Sequence, residues 1–343
     1  MIVPMSQQID NPELVDVAII GAGPAGSAAA IHAAKAGYET LLIDAASFPR
    51  DKTCGDGLTP RAMHQLNLLG LDINAQYRNK GLKLHGYGGS VTAPWPSSYP
   101  TSVGTALPRH EFDNLVFAAA QAEGAKTWTG TPATAPVVEN GSLTSFRVGE
   151  REVRSKWVIV ADGVRSTFGK QLGRTWHQDE VYGIAARSYA TSTHAAEPWM
   201  HSHVELKSET SEVQPGYGWI FPLGAEIGEV NIGLGALSTA QRPARINTKK
   251  LLSHYAQQQR ADWGLGEITR VASALLPMGG AVSNVAGANW MLIGDAAACV
   301  NPLNGEGIDY GLETAKLAVE LLGTKDFTLA WPDLLQTQYG EAF

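Results

Sequence analysis

The chain has 343 residues and a formal net charge of −7, longer than one ordinary single-core domain and so expected to form two. No cluster of Lys and Arg of the kind that tracks phosphates occurs, which argues against a nucleic-acid partner. Only Cys54 and Cys299 are present, too few for a disulfide framework and in keeping with a reducing cytoplasm.

Taken in chain order, no basic and then apolar leader opens the sequence, and no apolar run approaches the roughly 18 residues that span a bilayer. A cytoplasmic protein, soluble or peripheral to the membrane, is expected. VDVAII (15–20) reads as a strand, the Ala-rich segment 25–36 as a helix stopped by Gly37, and ETLLI (39–43) as a second strand. Together they make a βαβ unit, the signature of a parallel sheet. WVIVA (157–161) and WMLI (290–293) read as further strands buried on both faces. Between about 173 and 272 the pattern changes to short segments around 181–190, 201–207, 216–222 and 228–236. Leu223 to Gly228 is a plausible hairpin connection there, so an antiparallel sheet is inserted into the parallel one. A helix beginning near Gly307 carries Ile308, Leu312, Ala315, Val319 and Leu322 along one stripe. The closing LLQTQYGEAF reads as a helix cut off before any stop signal, with Gly340 its sole breaker, so a trimmed chain is expected.

One stretch stands out. In QPGYGWIFP (214–222), Tyr217, Trp219 and Phe221 alternate, which in a strand places three rings on one face. They form either ordinary core or the wall of a pocket for something large and apolar.

The first βα turn, GAGPAG, fits GxGxxG with Gly21, Gly23 and Gly26, and Ala25 lies inside it. Gly21 permits the tight turn, Gly23 lets the backbone approach a pyrophosphate, and Gly26 lets helix and strand pack closely. The helix N-terminus then offers its free N–H groups to phosphate, and Asp44, ending the next strand, is placed to accept from ribose hydroxyls. Two later motifs choose the dinucleotide. Asp162 and Gly163 end one strand, and Gly294 and Asp295 end another, where an acid reaches a long ligand lying across the sheet edge. Gly305, Glu306 and Gly307 then turn into a helix whose N-terminus favours negative charge on a reduced flavin. A helix N-cap is the plain alternative for each Asp. Three motifs in this order favour FAD over NAD. No second GxGxxG follows a strand, so the electron donor stays unassigned, and no metal-ligand set is read.

The order GAGPAG, Asp44, CGDG, DG, GD is similar to that of FAD-dependent oxidoreductases of the p-hydroxybenzoate hydroxylase type. Within them, DKTCGDGLTPRAM (51–63), GYGWIFP (216–222) and GDAAACVNPLNGEGIDYG (294–311) resemble the geranylgeranyl reductase family. FPRDKTCGDGLTPRA and ALLPMGGAV resemble its branch that saturates one double bond in the isoprenoid tail of menaquinone. The resemblance implies an α/β fold: a Rossmann-type FAD-binding domain with an inserted antiparallel β-sheet substrate domain. The former takes 1–82, 106–172 and 273–343; the latter takes 83–105 and 173–272. It further implies that Arg109 contacts FAD. A cation at a helix N-terminus is electrostatically misplaced without an anionic partner, which points to phosphate. By the same resemblance Cys54 and Gly55 lie beside the flavin. Cys54, Tyr217 and Trp219 are then the catalytic candidates, and Tyr217, Trp219 and Phe221 the substrate wall. Cys54 and Tyr217 would relay or position a proton, while Glu306 shapes the flavin loop. The implied partners are an isoprenoid quinone or other isoprenoid lipid and, through it, a membrane surface.

Two departures from the family pattern are Ala298, where many relatives carry glycine, and the absence of a C-terminal helical segment. The alternatives are a reductase of geranylgeranyl diphosphate or geranylgeranyl lipids, and a flavin monooxygenase or halogenase. The first wants a basic cluster, for which the adjacent Lys249 and Lys250 read better as a solvated helix face. The second carries WxWxIP where this chain has YGWIFP.

Overall fold

The apolar run ELVDVAII forms the strand Glu13–Ile20. In the computed structural model, which describes residues 11–73, 77–324 and 326–342, it is the centre of the parallel sheet. It pairs in parallel with Thr40–Ile43 on one side and with Arg151–Val160 on the other. Lys126–Trp128 extends the sheet beyond Thr40–Ile43. The strand Arg151–Val160 is shared: its start pairs antiparallel with Ser142–Val148, and its end pairs parallel with Trp290–Leu292. Val17, Ala18 and Ile19 are fully buried because side chains pack on both faces, forming two cores. On one face lies the helix Pro24–Lys35, whose Ala28, Ala29, Ala30 and Ala33 bring its backbone close to the strands.

The second sheet is antiparallel in its centre. Val181–Thr191 pairs with Glu229–Thr239, which pairs with Gly216–Pro222, which pairs with Met200–His203. The connection from Pro222 to Glu229 is the expected hairpin, closed by Leu223 N–H donating to the Glu229 carbonyl at 3.1 Å. Three strands that the sequence pattern does not single out complete this sheet: Thr269–Pro277 at one edge, and the hairpin of Gly81–Gly86 with Gly89–Pro94 at the other. Gly89–Pro94 is exposed along its whole length, so it carries no buried alternation for a pattern to detect. The far face of this sheet is covered by the helix Thr248–Trp263. Asn247 caps its start and Leu251, Leu252, Tyr255 and Ala256 point inward, while Lys249 and Lys250 are exposed.

The helix Ile308–Leu321 buries Leu312, Ala315 and Val319 on the predicted stripe. It is bolted to the helix Pro60–Leu68 by Arg61, whose Nε donates to Glu313 Oε1 at 2.8 Å while its guanidinium lies 3.9 Å over the Tyr310 ring. The closing segment is a helix, Phe327–Tyr339, that tolerates Pro332 near its start and buries Trp331 completely. The Trp331 indole donates to the Leu292 carbonyl at 2.8 Å. Among the described residues no helix is long and apolar enough to cross a membrane.

Tyr255 fastens the covering helix to the inserted sheet. Its ring lies so close to Gly218 that a Cβ there would fall 2.5 Å from it, and its hydroxyl is 2.6 Å from His203 Nδ1. Tyr255→Ala should therefore cost about 3–5 kcal/mol, read as a lowered urea midpoint.

Candidate functional site

The glycine-rich turn is held open by three different constraints. Gly21 has φ +101, and a Cβ on it would sit 2.3 Å from the Ala161 carbonyl oxygen; one on Gly26 would sit 1.7 Å from the Gly21 oxygen. Both positions are closed to any side chain. Gly23 is different: a Cβ there would meet only the Arg50 guanidinium, at 3.4 Å. As N-cap of Pro24–Lys35 it offers no capping side chain, so the first-turn N–H groups, those of Ala25 and Gly26 included, remain available at the positive end of the helix. Asp44 borders this cradle, its two oxygens accepting from Ala22 N at 2.7 Å and Ala46 N at 2.8 Å.

Arg50 is a residue the sequence reading passes over. Its Nη1 donates to Asp113 at 3.0 Å, its Nη2 lies 3.9 Å from Asp44, and its guanidinium overlies Phe48 at 4.9 Å. A lone arginine in a loop carries no local signal; its place above Gly23 is a tertiary fact. Arg109 begins the helix Arg109–Ala122 and is almost fully buried. The anionic partner its position demands is Asp113, gripped by two bonds of 2.6 and 2.9 Å. Burial works against the charge, but Asp113 and the neighbouring Cys54 thiol hold the guanidinium well above its usual range.

The C-terminal motif closes the same site. Gly294, at φ +56, opens the turn Gly294–Ala297; a Cβ on it would come 3.1 Å from Ala25 Cβ. The Asp295 carboxylate reaches within 3.1 Å of the Cβ position of Gly307, and Gly305 has φ +75. Ala298 sits at φ +55, a left-handed position that glycine relieves by about 1–2 kcal/mol. Its methyl is fully buried, which returns about 0.8 kcal/mol, so alanine is tolerated. Asp162, like Asp44, accepts from groups close to it in the chain or the turn. Its oxygens accept from Ser166 Oγ at 2.6 Å and Phe168 N at 2.8 Å, which makes it a local cap beside Gly163 at φ +75.

The aromatic strand packs against the CGDG loop and reaches the turn before Ile308–Leu321. Tyr217, Trp219 and Phe221 do share one face, with ring centroids 6.0 and 6.1 Å apart. Their burial is unequal: Trp219 is 6% exposed and lies flat on Gly233, where a Cβ would come 2.1 Å from the indole, while Tyr217 and Phe221 are half-buried. The CGDG loop presses onto this wall. A Cβ on Gly55 would come 3.1 Å from the Phe221 ring, and one on Gly57 would come 2.4 Å from Met200 Cε. A buried polar chain joins loop to wall. Trp219 Nε1 donates to Asn231 Oδ1 at 2.9 Å, and Asn231 Nδ2 donates to the Cys54 carbonyl at 2.9 Å and to Asp56 Oδ2 at 2.8 Å. Tyr189 donates to the same Asp56 oxygen at 2.6 Å. Asp56 is fully buried at φ +64, and its Oδ1 has no partner. Burial pushes its carboxyl up to about 6, against the pull of Tyr189, Asn231, Arg109 and Arg187.

Tyr217 reaches across to the loop at the start of Ile308–Leu321, donating to the Asn304 carbonyl at 2.5 Å. Burial first, and then the Glu306 carboxylate, push its phenol up, so it keeps its proton. Burial and the neighbouring Asp309 likewise push Glu306 up.

Residues 14–337 match the model of a family described as an FAD binding domain. The chain belongs to that family. Its cofactor is FAD, and the residues present have the chemistry for it: Gly21, Gly23, Ala25 and Gly26 with Arg50 would take the pyrophosphate, Asp44 a ribose, and Asp295 with the Gly305–Gly307 turn the flavin end. This FAD-binding chain is 53% identical to a menaquinone reductase of Mycolicibacterium smegmatis, over 96% of this chain and 82% of that one. It is 26% identical to digeranylgeranylglycerophospholipid reductase 1 of Methanopyrus kandleri, over 96% and 86%. Its fold is that of a geranylgeranyl bacteriochlorophyll reductase-like protein from Thermoplasma acidophilum, with TM-score 0.80 at 24% identity, covering 97% and 85% of the two chains.

Two outcomes follow from this geometry. Arg50→Ala removes the cation above Gly23 while Arg109 still satisfies Asp113. It should weaken FAD by about 1.5–3 kcal/mol, measured by titrating flavin fluorescence. Asp56 holds its proton more tightly folded, near 6, than its ordinary 3.8. Its contribution to stability is therefore complete below about pH 4 and lost as pH rises through 6. Asp56→Asn should be no less stable at pH 4 and progressively more stable up to pH 6, by at most about 3 kcal/mol, in melts across that range. A constant difference would contradict the assignment.

Proposed function

We propose that this chain is an FAD-dependent reductase that saturates one C=C bond of an isoprenoid chain, in the tail of menaquinone. What carries the reading is the 53% identity over a span that includes both the CGDG loop and the aromatic wall. Saturating an alkene requires a hydride at one carbon and a proton at the other, and FAD in its reduced form supplies the hydride. The chain's own residues have the remaining work. An isolated alkene has no carbonyl to accept charge, so the site must hold it in one orientation and exclude water.

Phe221 and Tyr217, half-buried, give the wall its accessible aromatic area, while Trp219 backs them and keeps water from behind. Cys54, half-buried beside Arg109 on the loop pressed to that wall, is the proton donor. Tyr217 is a poor one, because its hydroxyl is committed to Asn304 and its proton tightly held; its role is to join wall and flavin loop. A menaquinone tail resides in the bilayer, so the enzyme takes it at the membrane surface. The wall face supports this. Ser202 opposes both Trp219 and Leu84, and Leu84 opposes Val91. The face bearing the rings thus runs outward to the exposed apolar side chains of Leu84, Val91 and Val204.

The test is mass spectrometry of quinones from cells that make only unsaturated menaquinone, with and without this protein. Menaquinone heavier by two hydrogen atoms is expected. Cys54→Ser should lower its yield by about 10²-fold or more, and Tyr217→Phe by less than about tenfold. Saturated geranylgeranyl lipids with unchanged quinone would move the substrate to that class, and full activity of Cys54→Ser would end its role as proton donor.

A further inference from the structure

Residues 86–108 include no Asp, Glu, Lys or Arg, in a chain of which 17% is charged. Much of that run faces water. The edge strand Gly89–Pro94 is exposed along its whole length, with Val91 66% exposed and Tyr87, at the hairpin tip, 86%. Edge strands are commonly guarded by charge, because an unguarded one pairs with whatever meets it. Here no charge in the strand stands guard. Glu205 lies at the tip, but it accepts from Tyr87 N–H and pairs with Lys207 at 3.4 Å.

The ring-side face of this hairpin is continuous with the aromatic wall. One row runs from Trp219 through Ser202 and Leu84 to Val91. The next runs from Met200, on which Gly57 rests, through Leu82 to Ala93. The opposite face carries Lys83, His85 and His203, and there Tyr255 of the covering helix meets His203. From Val91 to Trp219 is three strand spacings, about 14 Å, against roughly 30 Å for a bilayer's hydrocarbon core. A long apolar tail therefore reaches the wall while its remainder stays in lipid.

Cations border the same surface. Past Pro94 the chain forms a loop, Trp95–Val103, closed at its base by Asn79. That residue accepts from the Trp95 indole at 2.6 Å and donates to the Gly104 carbonyl at 3.0 Å. Arg78 and Lys80, which flank Asn79, are exposed. They line an open cleft of about 420 Å³ with Met63 and the loop residues Thr101 and Val103, and Asp72 is the acid in its lining. Arg78 Nη2 donates to the Ile73 carbonyl at 3.1 Å, a bond that leaves its charge unmatched.

We propose that this hairpin and loop dock on a bilayer containing anionic phospholipid, ring-side face on the lipid, with Arg78 and Lys80 at phosphate headgroups. Exposed apolar and aromatic side chains suit the membrane interface, and cations suit its anionic headgroups. A second copy pairing along Gly89–Pro94 would extend the sheet, leaving Leu84 and Val91 in water and the basic cleft unused. The proposal rests on the isoprenoid-lipid reading only for its purpose, since docking is measured without substrate. Holoenzyme is sedimented with phosphatidylcholine vesicles, with or without phosphatidylglycerol. Binding is expected to the vesicles that contain phosphatidylglycerol, weakening as salt is raised. Val91→Glu should weaken it about tenfold or more. Arg78→Gln combined with Lys80→Gln should do so by about tenfold or more. All three side chains are exposed, and circular dichroism checks that each variant is folded. No sedimentation with either vesicle, equal binding to both, or binding that neither variant changes overturns the proposal. A concentration-dependent dimer that Val91→Glu dissociates, with no vesicle binding, gives the face to a second copy and overturns it too. Vesicle binding by a protein that leaves menaquinone unreduced in cells keeps the docking surface and ends the substrate reading. Reduction without vesicle binding does the reverse.

Discussion

The side-chain amide of Asn231 is the point on which the site depends. It stands on a central strand of the inserted sheet, fully buried, and accepts from the Trp219 indole on the neighbouring strand. That bond fixes which end of the amide is oxygen, so both N–H groups turn to the CGDG loop, one to the Cys54 carbonyl and one to Asp56. One planar group thus ties the aromatic wall to the loop that connects back to the nucleotide cradle. In a dry interior such a network is all or nothing. Each bond contributes about 1 kcal/mol, but a partner left unmade costs about 1–3 kcal/mol, so wall and loop keep one relative position.

Close backbone approach is the second constraint, met by glycine at a few points. Gly26 lets the first helix settle on its strand, Gly233 gives the Trp219 indole a flat bed, and Gly55 and Gly57 let the loop lie directly on Phe221 and Met200. Each closes a gap that a single Cβ would prop open.

Charge is distributed with the same economy. Arg50 and Arg109 share Asp113, Arg187 takes Asp51, and Arg61 takes Glu313. These cations each have an acid within reach, as a low-dielectric interior requires, whereas buried Arg174 donates only to the Ala296 carbonyl. Asp56 and Glu306 are both acids that burial pushes up, to about 6 and about 7.

Local periodicity and turn chemistry let the sequence determine what neighbours in the chain decide. GAGPAG and Asp44 belong to one βαβ unit, so their spacing already places them at one strand end, and the period of two already puts Tyr217, Trp219 and Phe221 on one face. Where the rules were local but ambiguous, as at Asp162, the structure shows the capping bonds to Ser166 and Phe168. Only the tertiary structure could supply Arg50, Tyr189, Asn231 and the charge on Asp56. Asp56 meets Tyr189 and Asn231 across 133 and 175 residues of chain, through a register that hydrogen bonding between strands sets and no short-range pattern encodes. It also decided that Trp219 is backing and its neighbours the accessible surface, because burial depends on which loop comes to rest on a face, and that loop is more than 150 residues away in the chain.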